Sequence, residues 1–77
     1  MSPRVKVQIF GALRRQAGAS HLFLELPPGA TVADALAAAG IADRVDVWTL
    51  VNGSRAGHDR RLAEGAELVF FQPVGGG

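Results

Sequence analysis

Between Arg4 and Phe10 every second residue is apolar: Val5, Val7 and Ile9 alternate with Lys6 and Gln8. A period of two predicts a half-buried strand. The alternation returns from His21 to Leu26, with Leu22, Leu24 and Leu26 on one side, and Pro27-Pro28-Gly29 stops it. Between the two strands, Gly11-Ala12-Leu13-Arg14-Arg15-Gln16-Ala17-Gly18 has room for one or two helical turns closed by Gly18. Such a helix is too short to be stable alone.

The clearest helix signal follows. Thr31 is placed to be an N-cap, and Asp34 three residues later makes a short version of a capping box. Val32, Ala35, Leu36 and Ala39 share one face at helical spacing. Gly40 suits the left-handed position after the helix, and Ile41 can fold back over the last turn. The apolar face is narrow and made mostly of small residues, which predicts a helix lying close against a sheet. Val45 to Val51 reads as a third strand, and Asn52-Gly53 is a hairpin signal because both residues tolerate positive φ. Ser54 to Arg61 is polar and is expected to hold a short edge strand. Leu62 to Ala66 is a turn, Glu67 to Gln72 is the last strand, and Pro73 ends its hydrogen bonding.

This order predicts an α+β roll, a mixed sheet of four to five strands with one main helix packed on one face. Its last strand is apolar on both sides. Leu68 and Phe70 point one way, Val69 and Phe71 the other. That marks a central strand whose second face is covered by loops or by a partner. Alternation alone does not tell which pair faces the helix.

Composition narrows the chemistry. The chain of 77 residues is one domain, and a domain of this size buries only about 60% of its unfolded surface. Without cysteine there is no disulfide, thiolate metal site or thiol nucleophile, which suits a reducing compartment. The start alternates where a secretory signal would run apolar. No stretch approaches the ~20 apolar residues of a membrane helix. The expectation is a cytoplasmic domain that binds no membrane. Two distant histidines among scattered carboxylates predict no metal site. Ser54, His58 and Asp59 have the residue types of a hydrolase triad but share one polar loop with no nucleophile elbow, so no catalytic residue is assigned. Arg14-Arg15 and Arg55/Arg60/Arg61 are basic clusters, too sparse and too poor in interleaved aromatics for nucleic acid. They read as a solvated face or as docking for an acidic protein partner. Phe71, Pro73, Val74, Arg60 and Arg61 are the candidate partner-binding residues.

The last stretch, Phe71-Gln72-Pro73-Val74-Gly75-Gly76-Gly77, divides the chain into a folded unit, 1–74, and a glycine tail, 75–77. The tail is open to three readings: a frayed terminus, a linker cut short, or a functional arm. Glycine suits the arm because a backbone without Cβ enters a channel that a larger side chain would block. Its carboxylate also has no neighbouring side chain to shield it.

The whole pattern resembles the ubiquitin-like sulfur-carrier family, which includes the small subunit of molybdopterin synthase and the thiamine sulfur carrier. The resemblance rests on Val7 to Arg14, Leu26 to Leu36, Leu50-Val51-Asn52-Gly53, Leu62 to Leu68, and Phe70 to Val74 followed by the glycines. It implies a β-grasp fold and a carrier, not a catalyst. It also implies that a ubiquitin-activating-type adenylyltransferase uses ATP to adenylate the Gly77 carboxylate, and that a sulfur donor then displaces AMP to leave a C-terminal thiocarboxylate. Gly75, Gly76 and Gly77 would thread a partner's active site; no cofactor is bound. Gly11 to Ser20 stands where thiamine carriers make a tight turn. With Phe70-Phe71-x-Pro73-Val74, this favours the molybdopterin branch, whose partner is the synthase large subunit. Glu64-Gly65-Ala66 departs from the Asp-Gly-Asp common there, and Gln72 stands where a first proline is common. The alternatives are a carrier for thiamine, cysteine or tRNA thiolation, or a ubiquitin-like interaction module or protein modifier.

Overall fold

The computed structural model describes residues 2–42 and 46–73. Strand β1, Arg4–Ile9, lays Val5, Val7 and Ile9 into the core and leaves Arg4, Lys6 and Gln8 exposed, as its alternation predicts. Phe10 and Gly11 carry the chain into the single short turn of α1, Leu13–Ala17, which buries Leu13 and ends on Gly18 at φ 75°. Strand β2, His21–Glu25, returns antiparallel to β1 in a register that sets Phe23 against Lys6.

Helix α2, Val32–Ala39, forms where the sequence places it. The Thr31 side chain accepts from Asp34 N–H at 3.4 Å, and the Asp34 carboxylate accepts from Thr31 N–H at 2.8 Å. These bonds satisfy two donors that the first turn would otherwise leave unpaired. At the other end Gly40, φ 81°, donates to Ala37 C=O, and Ile41 N–H reaches back to Leu36 C=O at 2.9 Å. That pairing is the Schellman arrangement, and Ile41 is buried with Leu36 as its fold-back predicts. Gly40 has a second reason to be glycine. A Cβ there would stand 3.2 Å from the Gln16 carbonyl oxygen of α1, so the two helices meet backbone to backbone.

Strand β3, Trp48–Val51, is shorter than the expected Val45–Val51. Its ladder with β5 begins at the Trp48–Phe71 pair, and Gln72 beyond that pair turns its side chain to Asp46. Val47 is buried outside the strand, and Val45 lies outside the described residues. Asn52 (φ 51°) and Gly53 (φ 88°) make the two-residue hairpin into β4, Ser54–Ala56. Strand β5, Glu67–Phe71, ends one residue before the expected Gln72.

The five strands lie in the order β2-β1-β5-β3-β4. β5 is central, parallel to β1 and antiparallel to β3. This is the β-grasp arrangement, an α+β fold with a mixed sheet. Leu68 and Phe70 of β5 are the pair that enters the core, together with Val5, Val7, Ile9, Leu13, Leu36 and Val51. Thr49 is also fully enclosed there, and its hydroxyl has no hydrogen-bond partner among the described residues.

Candidate functional site

The second face of the sheet carries the residues that alternation turns away from the core. In register across it lie Gln8 of β1, Val69 of β5, Leu50 of β3 and Arg55 of β4. One step toward the end of β5, Phe71 stands opposite Trp48. Val69, Leu50, Phe71 and Trp48 are all half-buried, so no loop among the described residues seals this face. With Phe10, which is 48% exposed, Leu50, Val69, Phe71 and Pro73 line a shallow apolar groove. The groove lies at the end of β5, just before residue 74.

Three contacts brace this end. The Trp48 and Phe71 rings meet edge-on with centroids 6.0 Å apart, a favoured aromatic geometry. The Arg55 guanidinium lies 3.4 Å over the Trp48 ring, where the negative face of the ring attracts the cation. Gln72 Nε2 donates to Asp46 Oδ2 at 2.9 Å, which ties the residue after β5 to the turn before β3. Two strands and a loop thus aim the chain at Pro73. What the site offers chemically is apolar surface with a cation at its rim, next to the start of the tail.

The structure divides the residues assigned from sequence. Phe71 and Pro73 meet in the groove. Val74, Gly75, Gly76 and Gly77 lie outside the described residues. Arg60 and Arg61 sit apart from the groove, in the connection over the start of α2. Arg60 C=O accepts from Val32 N–H at 3.0 Å, and Arg61 makes an isolated bridge with Thr31. Arg55, grouped with them by sequence, belongs instead to the sheet face. Phe10, Trp48, Leu50, Val69 and Arg55 were not singled out for the site. Their signal was available in part, because Trp48 and Leu50 are the off-core set of β3 once Thr49 and Val51 turn inward. Which strand lies beside them is a tertiary fact.

The polar loop serves the fold. His58 Nε2 lies 2.8 Å from Val47 C=O, and His58 C=O accepts from Ala33 N–H at 2.9 Å in the first turn of α2. Among the described residues no group of three or more metal-ligating side chains comes together. None of the described helices is long and apolar enough to cross a membrane.

The family pattern described as ThiS family matches residues 7–77. The chain belongs to the ThiS family. This ThiS-family chain therefore bears out the resemblance to ubiquitin-like sulfur carriers, a family of small carriers and modifiers that are generally not catalysts. Solved structures agree. A Pyrococcus furiosus protein described as molybdopterin converting factor, subunit 1, is 31% identical with a TM-score of 0.78, over 95% of this chain and all (100%) of that one. Small archaeal modifier protein 1 of Haloferax volcanii is 28% identical with a TM-score of 0.77, over 96% of this chain and 99% of that one. A ubiquitin of Caldiarchaeum subterraneum, 20% identical over 100% of both chains with a TM-score of 0.63, shares the fold. No curated protein matches the ThiS-family chain.

Proposed function

We propose that this ThiS-family protein is a sulfur carrier for molybdopterin synthesis, with the Gly77 carboxylate as its reactive group. The observation that carries the reading is the family match, which runs through the glycines to residue 77. The groove beside Pro73 supports it, since a carrier needs a docking face next to its arm. The chemistry follows from the weakness of a carboxylate as an acyl donor. A ubiquitin-activating-type adenylyltransferase lets a Gly77 oxygen attack the α-phosphorus of ATP and releases pyrophosphate. The glycyl adenylate has AMP as a good leaving group. A sulfur donor attacks the acyl carbon, the bond to AMP breaks, and a glycyl thiocarboxylate remains.

The acceptor is the molybdopterin synthase large subunit, which takes two sulfurs onto a precursor pterin. α1 stands between β1 and β2 in place of a tight turn, and the Pyrococcus furiosus relative points to the same branch. Gly75, Gly76 and Gly77 thread the partner's active site, and Phe71 and Pro73 meet its surface. Arg60 and Arg61 form a separate contact on the α2 side. A second reading has its own support. The likeness to small archaeal modifier protein 1 favours a carrier whose adenylated glycine is joined to a lysine of another protein.

The test is the mass of the protein after incubation with an activating enzyme of its host, ATP and a sulfide source. Exchange of one oxygen for sulfur adds about 16 Da, nominally the same as oxidation of Met1, so the shift is located on a peptide. Trypsin releases Leu62 to Gly77 as one piece. A shift on that piece, absent when Gly77 is deleted, supports the carrier. An isopeptide bond from Gly77 to a target lysine, without a thiocarboxylate, supports the modifier. Neither product, with an enzyme competent on another carrier, overturns both.

A further inference from the structure

The two edges of the sheet differ. β4 is three residues long, and its neighbour in the chain is the loop over α2. β2 is five residues long, with β1 on one side and, among the described residues, no strand on the other. It also carries Phe23, 79% exposed and the most exposed large apolar side chain among the described residues. An open edge with an apolar side chain is a template for another strand, and natural edges usually carry charge or proline to prevent this.

The hydrogen bonds show which groups of β2 face outward. Ile9 N–H donates to Ser20 C=O and Leu26 N–H donates to Pro3 C=O. In an antiparallel ladder bonded pairs recur at every second residue. Ser20, Leu22, Leu24 and Leu26 therefore turn their backbone groups toward β1. His21, Phe23 and Glu25 turn theirs to the open side.

We propose that β2 is a self-association edge, and that its occupant is β2 of a second copy, paired antiparallel about a two-fold axis through Phe23. The sequence His21-Leu22-Phe23-Leu24-Glu25 is complementary to itself in that register. Phe23 meets Phe23 of the second copy, as a bonded pair in which each exchanges N–H and C=O with the other. His21 meets Glu25, an imidazole donor opposite a carboxylate, at both ends of the strand. His21 Nδ1 lies 3.1 Å from Ser20 Oγ, so Nε2 is the nitrogen that addresses the carboxylate. On the other face Leu22 meets Leu24, and both are only half-buried in the single chain. A two-fold axis requires one patch to fit itself, and each of these pairs does so. A register shifted by two residues sets Phe23 against His21 in one direction or against Glu25 in the other, and loses the match.

Two paired strands bury less than the ~1,200 Å² of a standard interface, so the dimer is weak and concentration-dependent. It forms at the β2 edge, two strands from β5, and leaves the groove at Pro73 uncovered. Self-association therefore does not compete with docking at that groove, and the proposal stands whether or not Gly77 carries sulfur.

The experiment is sedimentation velocity of the full chain over roughly two decades of concentration, with amide hydrogen exchange at each end of the range. The expected result is a monomer–dimer equilibrium in which the amides of His21, Phe23 and Glu25 gain protection as the dimer fills. Phe23→Lys sets two ammonium groups against each other and raises the dissociation constant about tenfold or more. His21→Glu alone also weakens the dimer, and His21→Glu with Glu25→Lys restores it. Circular dichroism confirms that each variant is folded. A monomer throughout the range overturns the proposal. So does a dimer that ignores Phe23→Lys and protects the Leu50 and Phe71 face instead.

Discussion

The two faces of the central strand are built from almost the same residues and behave differently. Leu68 and Phe70 lie in the core at 1% and 0% exposure, while Val69 and Phe71, their neighbours in sequence, are half-buried. The difference comes from the neighbours each face finds. The inner face joins the core, which α2 completes with Val32, Ala35, Leu36 and Ala39. The outer face finds Leu50 and Phe10, which line an open groove with it, and Trp48 beside Phe71. Apolar surface on β5 thus has two uses: one face supplies stability, and the other stays available to a partner.

The comparison is broken most strongly by truncating one aromatic on each face. Phe70→Ala is expected to cost about 3–5 kcal/mol in urea denaturation, the range for a buried Phe replaced by Ala. Phe71→Ala is expected to cost much less stability but to reduce thiocarboxylate formation by the activating enzyme. Equal losses of stability at the two positions would show that the outer face is also structural.

A smaller effect sharpens the inner face. Thr49 sits there with a fully enclosed hydroxyl and no partner among the described residues. Thr49→Val keeps the shape and removes the unsatisfied group, which should raise stability by about 1 kcal/mol or more. Denaturant midpoints of the two proteins, at unchanged slope, provide the check. A loss of stability would mean that the hydroxyl is satisfied.

A smaller effect again belongs to the outer face. Arg55→Ala removes the cation over Trp48 and is expected to cost about 0.5–1 kcal/mol, since the contact is exposed. The change should also alter Trp48 fluorescence, because the ring loses its covering group. The exposed Arg4–Glu64 pair, at 3.3 Å, should contribute less still.

Much of this fold was legible because the signals were local. The alternation of Val5, Val7 and Ile9, the Thr31–Asp34 capping box, the Gly40–Ile41 fold-back and the Asn52-Gly53 hairpin each depend on residues a few positions apart. Such short-range preferences act before any distant part of the chain is in place, and each appears where the sequence puts it. The division into a β-grasp unit and a glycine tail rests on residues beyond the described ones. The central place of β5 was also legible, since a strand apolar on both faces has little reason to lie at an edge.

The site was only half legible. Phe71 and Pro73 announce themselves by their place at the end of the last strand. Arg55 does not, because its partner Trp48 is seven residues away across a hairpin and beside a strand that closes the chain. Grouping Arg55 with Arg60 and Arg61 followed the sequence, but a strand and the following loop send them to different sides of the molecule. The sequence by itself determined the elements, their caps and turns, and the family to which they add up. The tertiary structure decided which face of β5 is covered, how far β3 extends, and that Phe10, Leu50, Val69 and Phe71 share one groove. The reason is that strand pairing joins residues far apart in the chain, and only the packed sheet sets which of them are neighbours.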